Sequence, residues 1–364
     1  MVVADMQLRP RGVFAAAAQI DAVAYTARPL TSPDDDAGAG GETPLLAVAY
    51  SDLEGNQWSG GVALVDAVTH THQCGFHLAT GVTALAWCGV DGNVLALACD
   101  NGDVQLVRLE KTTPQSDFMF VPQQGIGGKQ DDGNESDKNS AATDETSVGW
   151  GHDDVVTGVS ASRFEKTTIA TSSWDLTVKV WDIANMDKTT ATLEGHTDLI
   201  WSVAMNPNAA HLLASASQDC TVQVWDDRQP TDAALAVSTR YPALVVDWHP
   251  HKDTLFSTGL EDGSILTFDT RSSHAPLFES AVHDGPVHAL KYSRFHEDLL
   301  ASGDDDANVY LTSNGTASKQ TTRVPTDHVD YVRALDWFST SSSTCLATGA
   351  WDKTLRTWSM ETPL

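Results

Sequence analysis

Basic residues are scarce in this chain. Lysine and arginine number 22 against 49 aspartates and glutamates, a formal charge of −27 over 364 residues. That balance argues against nucleic acid as a direct partner, because a phosphate backbone is held by clustered positive charge. A surface of this sign draws basic proteins and basic tails instead, over a Debye length of about 8 Å at physiological salt. It also keeps a large domain soluble. Cysteines are few and scattered: Cys74, Cys88, Cys99, Cys220 and Cys345 form no C-x-x-C pair. They read as buried free thiols in a reducing compartment. No apolar run approaches the roughly 20 residues of a membrane span. Arg9 and Arg11 precede only a short Ala-rich run, which is not a signal peptide. The expected location is therefore cytoplasm, nucleus or both, and the sequons at Asn134 and Asn314 are chance matches.

Catalytic signatures are missing as well. Gly125 to Lys129 (G-I-G-G-K) lacks the Ser/Thr, strand and helix that a phosphate-binding loop needs. No pair of carboxylates stands out, since the acids sit in loops or repeat turns. His70, His72, Cys74 and His77 form an H-x-H-x-C-x-x-H cluster. On a strand, residues 70, 72 and 74 would share a face, so a metal site is sterically allowed. The competing reading, and the one adopted, is an outer strand with polar side chains. No enzyme, metal or cofactor is expected.

What is present is a repeat. Five apolar runs end at Ala161, Met205, Trp248, Tyr292 and Trp337, spaced 44, 43, 44 and 45 residues apart. Nine residues before four of those ends stands a histidine: His152, His196, His283 and His328. The fifth run has Thr239 there. Downstream come a small-residue strand and a turn aspartate at Asp175, Asp219, Asp262, Asp306 or Asp352. Six residues later stands Trp181, Trp225, Phe268, Thr312 or Trp358. A period near 44 with G-H and W-D marks, such as Gly195-His196 and Trp225-Asp226, is that of four-stranded propeller blades.

Two weaker blades precede these. One holds Val82 to Trp87, Val94 to Cys99 and Val104 to Leu109. The first holds Ile20 to Tyr25, Leu45 to Ala49 and Trp58 to Val65. The reading is an all-β, seven-bladed WD-repeat propeller over residues 1–364. Residues ahead of Ile20 should form the outer strand of the last blade and remove the open edges.

The recurring polar residues can form one buried chain per blade: His152, Thr171, Asp175 and Trp181; His196, Ser215, Asp219 and Trp225; His328, Thr348, Asp352 and Trp358. Burial is tolerable because each group satisfies the next. Such a Ser/His/Asp set can activate a nucleophile. Here it recurs blade after blade, so its role is structural.

Trp87 and Ala161 are 74 residues apart, about 30 more than one period. The excess lies at 123–150, polar and acidic, with too little apolar surface to stay ordered. A second Gly-rich, acidic stretch at 31–43 reads as a mobile loop. Trp225-Asp226-Asp227-Arg228 matches the W-D-x-R pattern associated with docking on a cullin ligase adaptor, and Phe268-Asp269-Thr270-Arg271 is a degenerate copy. Strand ends in many propellers read this way, and the reading adopted is an Arg closing a strand-end turn.

The order of several segments resembles one family. They are Gln57-Trp58-Ser59-Gly60, Ala98-Cys99-Asp100-Asn101-Gly102, His152-Asp153-Asp154-Val155-Val156, Val178-Lys179-Val180-Trp181-Asp182, Trp248-His249-Pro250, Ser280-Ala281-Val282-His283, His328-Val329-Asp330-Tyr331-Val332-Arg333, Gly349-Ala350-Trp351-Asp352 and Glu361-Thr362-Pro363-Leu364. The chain resembles the methylosome protein 50 family, WD-repeat partners of the type II, symmetric protein arginine methyltransferase. The insertion at 123–150 and the N-terminal Ala-rich segment depart from it. The resemblance implies a non-catalytic adapter in a hetero-oligomer. It would dock on the N-terminal barrel domain of the methyltransferase and present Arg/Gly-rich Sm proteins and histone tails. It also implies that Trp58, flanked by Gln57 and Ser59, enters a pocket of that partner. Alternatives are a substrate receptor of a cullin ubiquitin ligase, or a generic propeller scaffold.

Overall fold

Thr177–Asp182 shows why the repeat makes blades. Val178 and Val180 are buried, while Thr177 and Lys179 are half-buried, the period-2 pattern of a strand. In the next blade, the second strand Leu212–Ser217 is buried along nearly its whole length, on both faces. Its small residues let two blades close on it from either side. The computed structural model describes residues 7–26, 44–54, 57–111, 118–123, 151–185, 189–272, 275–313 and 320–361. These residues contain seven antiparallel four-stranded sheets.

Each blade runs as a meander from an inner strand outward. The inner strands are Gln19–Thr26, Val82–Cys88, Val156–Ala161, Ile200–Met205, Ala243–Trp248, Val287–Tyr292 and Val332–Ser339, in blades 1 to 7. Blade 7 takes its outer strand from the other end of the chain. Gln7–Ala15 pairs antiparallel with Thr354–Glu361, from Gln7 opposite Glu361 to Ala15 opposite Thr354. The ring thus closes without open sheet edges at the seam, as expected for residues ahead of Ile20. The 31–43 stretch and the insertion from 124 to 150 lie outside the described residues.

The core lies between blades. Leu213 and Trp225 of blade 4 pack with Ala170, Val178 and Val180 of blade 3 in one buried cluster. Trp337 and Trp358 of blade 7 pack likewise with Leu311 of blade 6. Truncating such a buried Trp to Ala typically removes about 3–5 kcal/mol. All five cysteines are free. Cys88, Cys99 and Cys345 are buried, whereas Cys74 and Cys220 are half-buried. Burial pushes the thiols of Cys88 and Cys99 up to about 12, which leaves them inert.

Candidate binding face

In a meander, turns between the second and third strands share a face with the links that lead from one blade to the next. The recurring histidines sit in those links and the aspartates in those turns, so one face collects both. In blade 4, His196 bonds through Nδ1 to Asp219 Oδ2 (2.8 Å) and through Nε2 to Ser215 Oγ (2.7 Å). Trp225 Nε1 donates to the same Ser215 oxygen at 2.8 Å. Blade 3 repeats this with His152, Asp175, Thr171 and Trp181. Blade 7 repeats it with His328, Asp352, Thr348 and Trp358.

Blade 6 departs from the spacing. His283 pairs with Asp304 (2.7 Å) and Ser302 (2.7 Å), not with Asp306. Asp306 sits two residues on, its own N–H donating to Asp304. Blade 5, lacking the His, bonds Ser257 to Thr267 (2.7 Å) and to Tyr292 of the next blade (2.6 Å).

The turns of this face hold residues at positive φ: Leu176, Cys220, Ala307 and Lys353, with Gly102 and Gly263 at matching places. At Gly263 (φ +85°) an added Cβ would meet the carbonyl oxygen of His283 at 2.3 Å. Only glycine fits there.

A ring of side chains surrounds the channel on the same face. All seven inner strands carry a register shift at an equivalent place, after the buried residues Ile20, Val82, Val156, Ile200, Ala243, Val287 and Val332. Each shift leaves one residue unpaired, the mark of a β-bulge, which re-aims a side chain. The unpaired residues are Thr83, Thr157 and Leu244 in blades 2, 3 and 5, and Asp21, Trp201, His288 and Arg333 in blades 1, 4, 6 and 7. All seven line a central channel of about 880 Å³. Thr83 and Thr157 each donate to a carbonyl of the next blade, of Val156 and Ile200.

The other half of the ring carries chemistry. Trp174 lies edge-on to Trp201 (5.5 Å between centroids), and Trp201 edge-on to His288 (6.1 Å). His288 Nε2 lies 3.5 Å from Asp305, whose other oxygen lies 3.7 Å from Arg333 Nε. The Arg333 guanidinium sits over the rings of Trp351 (4.9 Å) and Tyr331 (5.6 Å). Trp351 Nε1 donates to Asp21 at 2.9 Å, and Ser51 donates to the other Asp21 oxygen. Burial pushes the Asp21 carboxyl up to about 7, against these hydrogen bonds and the pull of Arg333. Burial also holds the His288 imidazole below its ordinary value, so it is neutral at pH 7, with Asp305 opposing.

The second and third strands of blade 1, Leu45–Glu54 and Gln57–Asp66, run ten residues each against six in blade 4. The outer strand stops pairing at Gly60, opposite Leu78. Three further pairs, Asp52 with Ser59, Leu53 with Trp58 and Glu54 with Gln57, carry the hairpin on by about 10 Å. Trp58 is thus on a strand beside the hairpin tip, not in the turn where its Gly- and Ser-rich neighbours placed it. It is 43% exposed and borders the channel mouth.

Of two other sequence features, the histidine cluster departs from its expected place and the strand-end arginines keep theirs. His70 is not on the outer strand, which spans His72–Leu78. It occupies the preceding turn at φ +59°, and its Nε2 meets Thr357 Oγ1 at 2.6 Å. Residues 70, 72 and 74 therefore share no strand face, and the described residues contain no group of three metal ligands. Arg228 folds back on Asp226 (2.5 Å) and Arg271 on Asp269 (2.6 Å), each closing its own strand-end turn.

The family model described as "WD domain, G-beta repeat" matches residues 145–182, 187–226 and 319–359. Those spans hold the three blades in which the His, hydroxyl, Asp and Trp set is complete. WD40 repeats are therefore present in blades 3, 4 and 7. The peroxisomal targeting signal 2 receptor of Schizosaccharomyces pombe is 24% identical over 57% of this chain and 66% of its own length. The guanine nucleotide-binding protein subunit beta of the same organism is 34% identical, over 29% of this chain and 32% of its own. The Mus musculus peroxisomal targeting signal 2 receptor is 30% identical over 26% and 30%. The chain thus spans less than two thirds of the curated relatives it matches. WD40 propellers are protein-interaction platforms. In this chain the link face carries exposed acids, Asp153, Asp154, Asp198 and Asp284, around an aromatic channel lining.

Proposed function

We propose that this WD40 propeller is the non-catalytic adapter subunit of a methylosome. It binds a type II protein arginine methyltransferase and presents Arg-rich substrates, Sm proteins and histone tails, for symmetric dimethylation. The observation that carries the reading is Trp58. A large aromatic on a hairpin reaching past the sheet, outside the repeat's own Trp position, is a typical interface anchor. It lies in Gln57-Trp58-Ser59-Gly60, one of the segments on which the resemblance rests. The charge of −27 supports the substrate side, since it attracts Arg-rich tails.

Trp58→Ala should weaken the complex with the methyltransferase by roughly 30-fold, the equivalent of about 2 kcal/mol for an anchor residue. Its melting temperature should stay that of wild type, because the indole is not in the repeat core. Arg228→Ala should leave the complex intact. Titration calorimetry of both variants measures this, and unchanged affinity for Trp58→Ala would overturn the docking mode. Pull-down from cells tests the partner: recovery of a cullin adaptor, or of neither enzyme, would replace this reading by a ligase receptor or another scaffold.

A further inference from the structure

The face opposite the blade links repeats a short turn. Directly after the inner strands of blades 3 to 6 stand Ser162, Asn206, His249 and Ser293. The side chain of each accepts from the backbone N–H groups two and three residues on. With the turn fixed in this way, the residue after the cap lines the channel in all four blades: Arg163, Pro207, Pro250 and Arg294. Ser162-Arg163-Phe164 in blade 3 is thus the counterpart of Ser293-Arg294-Phe295 in blade 6. These blades stand three steps apart on a closed ring of seven. The two arginines therefore reach the far mouth of the channel from nearly opposite sides, with only uncharged prolines in the turns between them.

The cations at this mouth are unequally paired. Arg294 Nη2 lies 3.3 Å from Asp336 Oδ1, and its guanidinium sits over the rings of Tyr25 (5.7 Å) and Phe295 (5.9 Å). Lys291 Nζ lies 3.6 Å from Asp247. Both acids also hold the inner strands. Asp247 accepts from the Tyr292 N–H (2.8 Å), and Asp336 from the N–H groups of Tyr25 (2.7 Å) and Trp337 (2.8 Å). Arg163 has no hydrogen bond or ion pair among the described residues. Partial burial and then the like charge of Arg294 hold its guanidinium below its ordinary value, with Asp247 and Asp336 opposing more weakly. Among the described residues this mouth thus sets Arg163, Lys291 and Arg294 against two acids, in a chain whose formal charge is −27.

We infer that this mouth seats a phosphate-type oxyanion between Arg163 and Arg294, with Lys291 as a third cation. Two guanidinium groups that repel each other across an opening are both stabilised by an anion placed between them. A tetrahedral oxyanion has oxygens on every side, so it accepts guanidinium forks from opposite directions. A planar carboxylate presents its two oxygens to a single fork. Tyr25 and Phe295 hold the Arg294 plane in advance, which lowers the entropy lost on binding. Lys291 adds a compact point charge with rotatable donors. The inference is independent of the adapter reading, and it concerns the face away from the blade links.

The test is titration calorimetry of the full chain with inorganic pyrophosphate at constant ionic strength. The chain as a whole repels anions, so saturable binding requires a local seat. Arg163→Gln should bind pyrophosphate about tenfold more weakly, the loss of one charge-assisted fork. Arg228→Gln, which removes a cation of the same face outside the mouth, should bind as wild type does. Sulfate should bind wild type more tightly than malonate, a dicarboxylate of the same charge, and this arm needs no variant. Pyrophosphate should also raise the melting temperature of wild type but not of Arg163→Gln. In anion-free buffer Arg163→Gln should melt no lower than wild type, because Arg163 makes no bond there and repels Arg294. Phosphatidylcholine vesicles carrying phosphatidic acid separate the two sources of such a group. No co-sedimentation assigns the seat to a free anion, and co-sedimentation lost in Arg163→Gln assigns it to a lipid headgroup. Equal pyrophosphate affinity in Arg163→Gln and wild type, malonate binding as tightly as sulfate, or no saturable binding by wild type would overturn the inference.

Discussion

Asp219→Ala removes the acceptor on which the blade 4 network converges. Asp219 accepts from His196 Nδ1 (2.8 Å), Thr197 N (3.0 Å), Thr221 N (2.9 Å) and Thr221 Oγ1 (2.6 Å). Thr197 is exposed and Thr221 half-buried, so water can replace the carboxylate for those donors. The imidazole cannot recover, because the His196 side chain has no exposure at all. One stranded donor costs about 1–3 kcal/mol, and the three outer ones about 0.5 kcal/mol each, for a total near 2.5–4.5 kcal/mol. At an unfolding entropy of about 2 cal/mol/K per residue, that lowers the melting temperature of a chain this long by roughly 3–6 °C. Asp262→Ala in blade 5 is the internal comparison. Asp262 accepts only from the backbone and hydroxyl of Ser264, and the link there holds Thr239 instead of a histidine. Its loss should cost under about 1 kcal/mol. Scanning calorimetry of both variants decides it. An Asp219→Ala protein that melts within 1 °C (about 1 °C being under 1 kcal/mol here) of wild type, or an Asp262→Ala protein hurt as much, would refute the reasoning.

Three further outcomes follow from the same geometry. Burial raises the folded-state pKa of Asp21 to about 7, so its carboxyl favours folding below pH 3.8 and that contribution is lost as pH rises to 7. Asp21→Asn should therefore gain stability relative to wild type between pH 4 and 8, read as a widening difference in melting temperature. A constant difference would mean the group is not desolvated. Asp352 shifts the other way: burial raises its pKa, but hydrogen bonds from His328 and Thr354 outweigh it and leave it at about 2. Its contribution is present above pH 3.8 and fades as pH falls to 2, so Asp352→Asn should be most destabilising at neutral pH and nearly silent at pH 2 in denaturant melts. Gly263→Ala should destabilise by about 2 kcal/mol or more, from positive φ and the clash with the His283 carbonyl. A melting curve superimposable on wild type would show that the turn can relax.

The blades were legible because their markers are spaced residues of fixed type: His196, Asp219 and Trp225 recur as His152, Asp175 and Trp181 at one period. Where the type is ambiguous, spacing misleads. Blade 6 offers Asp304, Asp305 and Asp306 in a row, and the one that fits the period is not the one that meets His283. His70 fitted a strand pattern, but its left-handed turn conformation is a backbone property that no alternation displays. The ring at the channel mouth was invisible for a related reason. A bulge has no residue signature, and its seven occupants range from Asp21 through Thr83 and Leu244 to Arg333, so nothing repeats. Trp58 drew notice for the opposite reason, as an aromatic standing outside the repeat, but its strand pairing with Leu53 was hidden by the Gly- and Ser-rich neighbours that suggest a turn.

The seam in blade 7 sets an order on biosynthesis. Gln7 finds its partner only at Glu361, some 350 residues later in synthesis. At typical elongation rates of about 5–20 residues per second, the first strand waits on the order of tens of seconds with no sheet to join. For that interval the nascent chain offers a bare strand edge and six blades that have no seventh to hold them in a circle. The clasp that gives the finished ring its permanence is thus also its period of greatest exposure to aggregation. Joining the present ends and opening the chain between two blades would transfer that vulnerable interval to a different pair of neighbours.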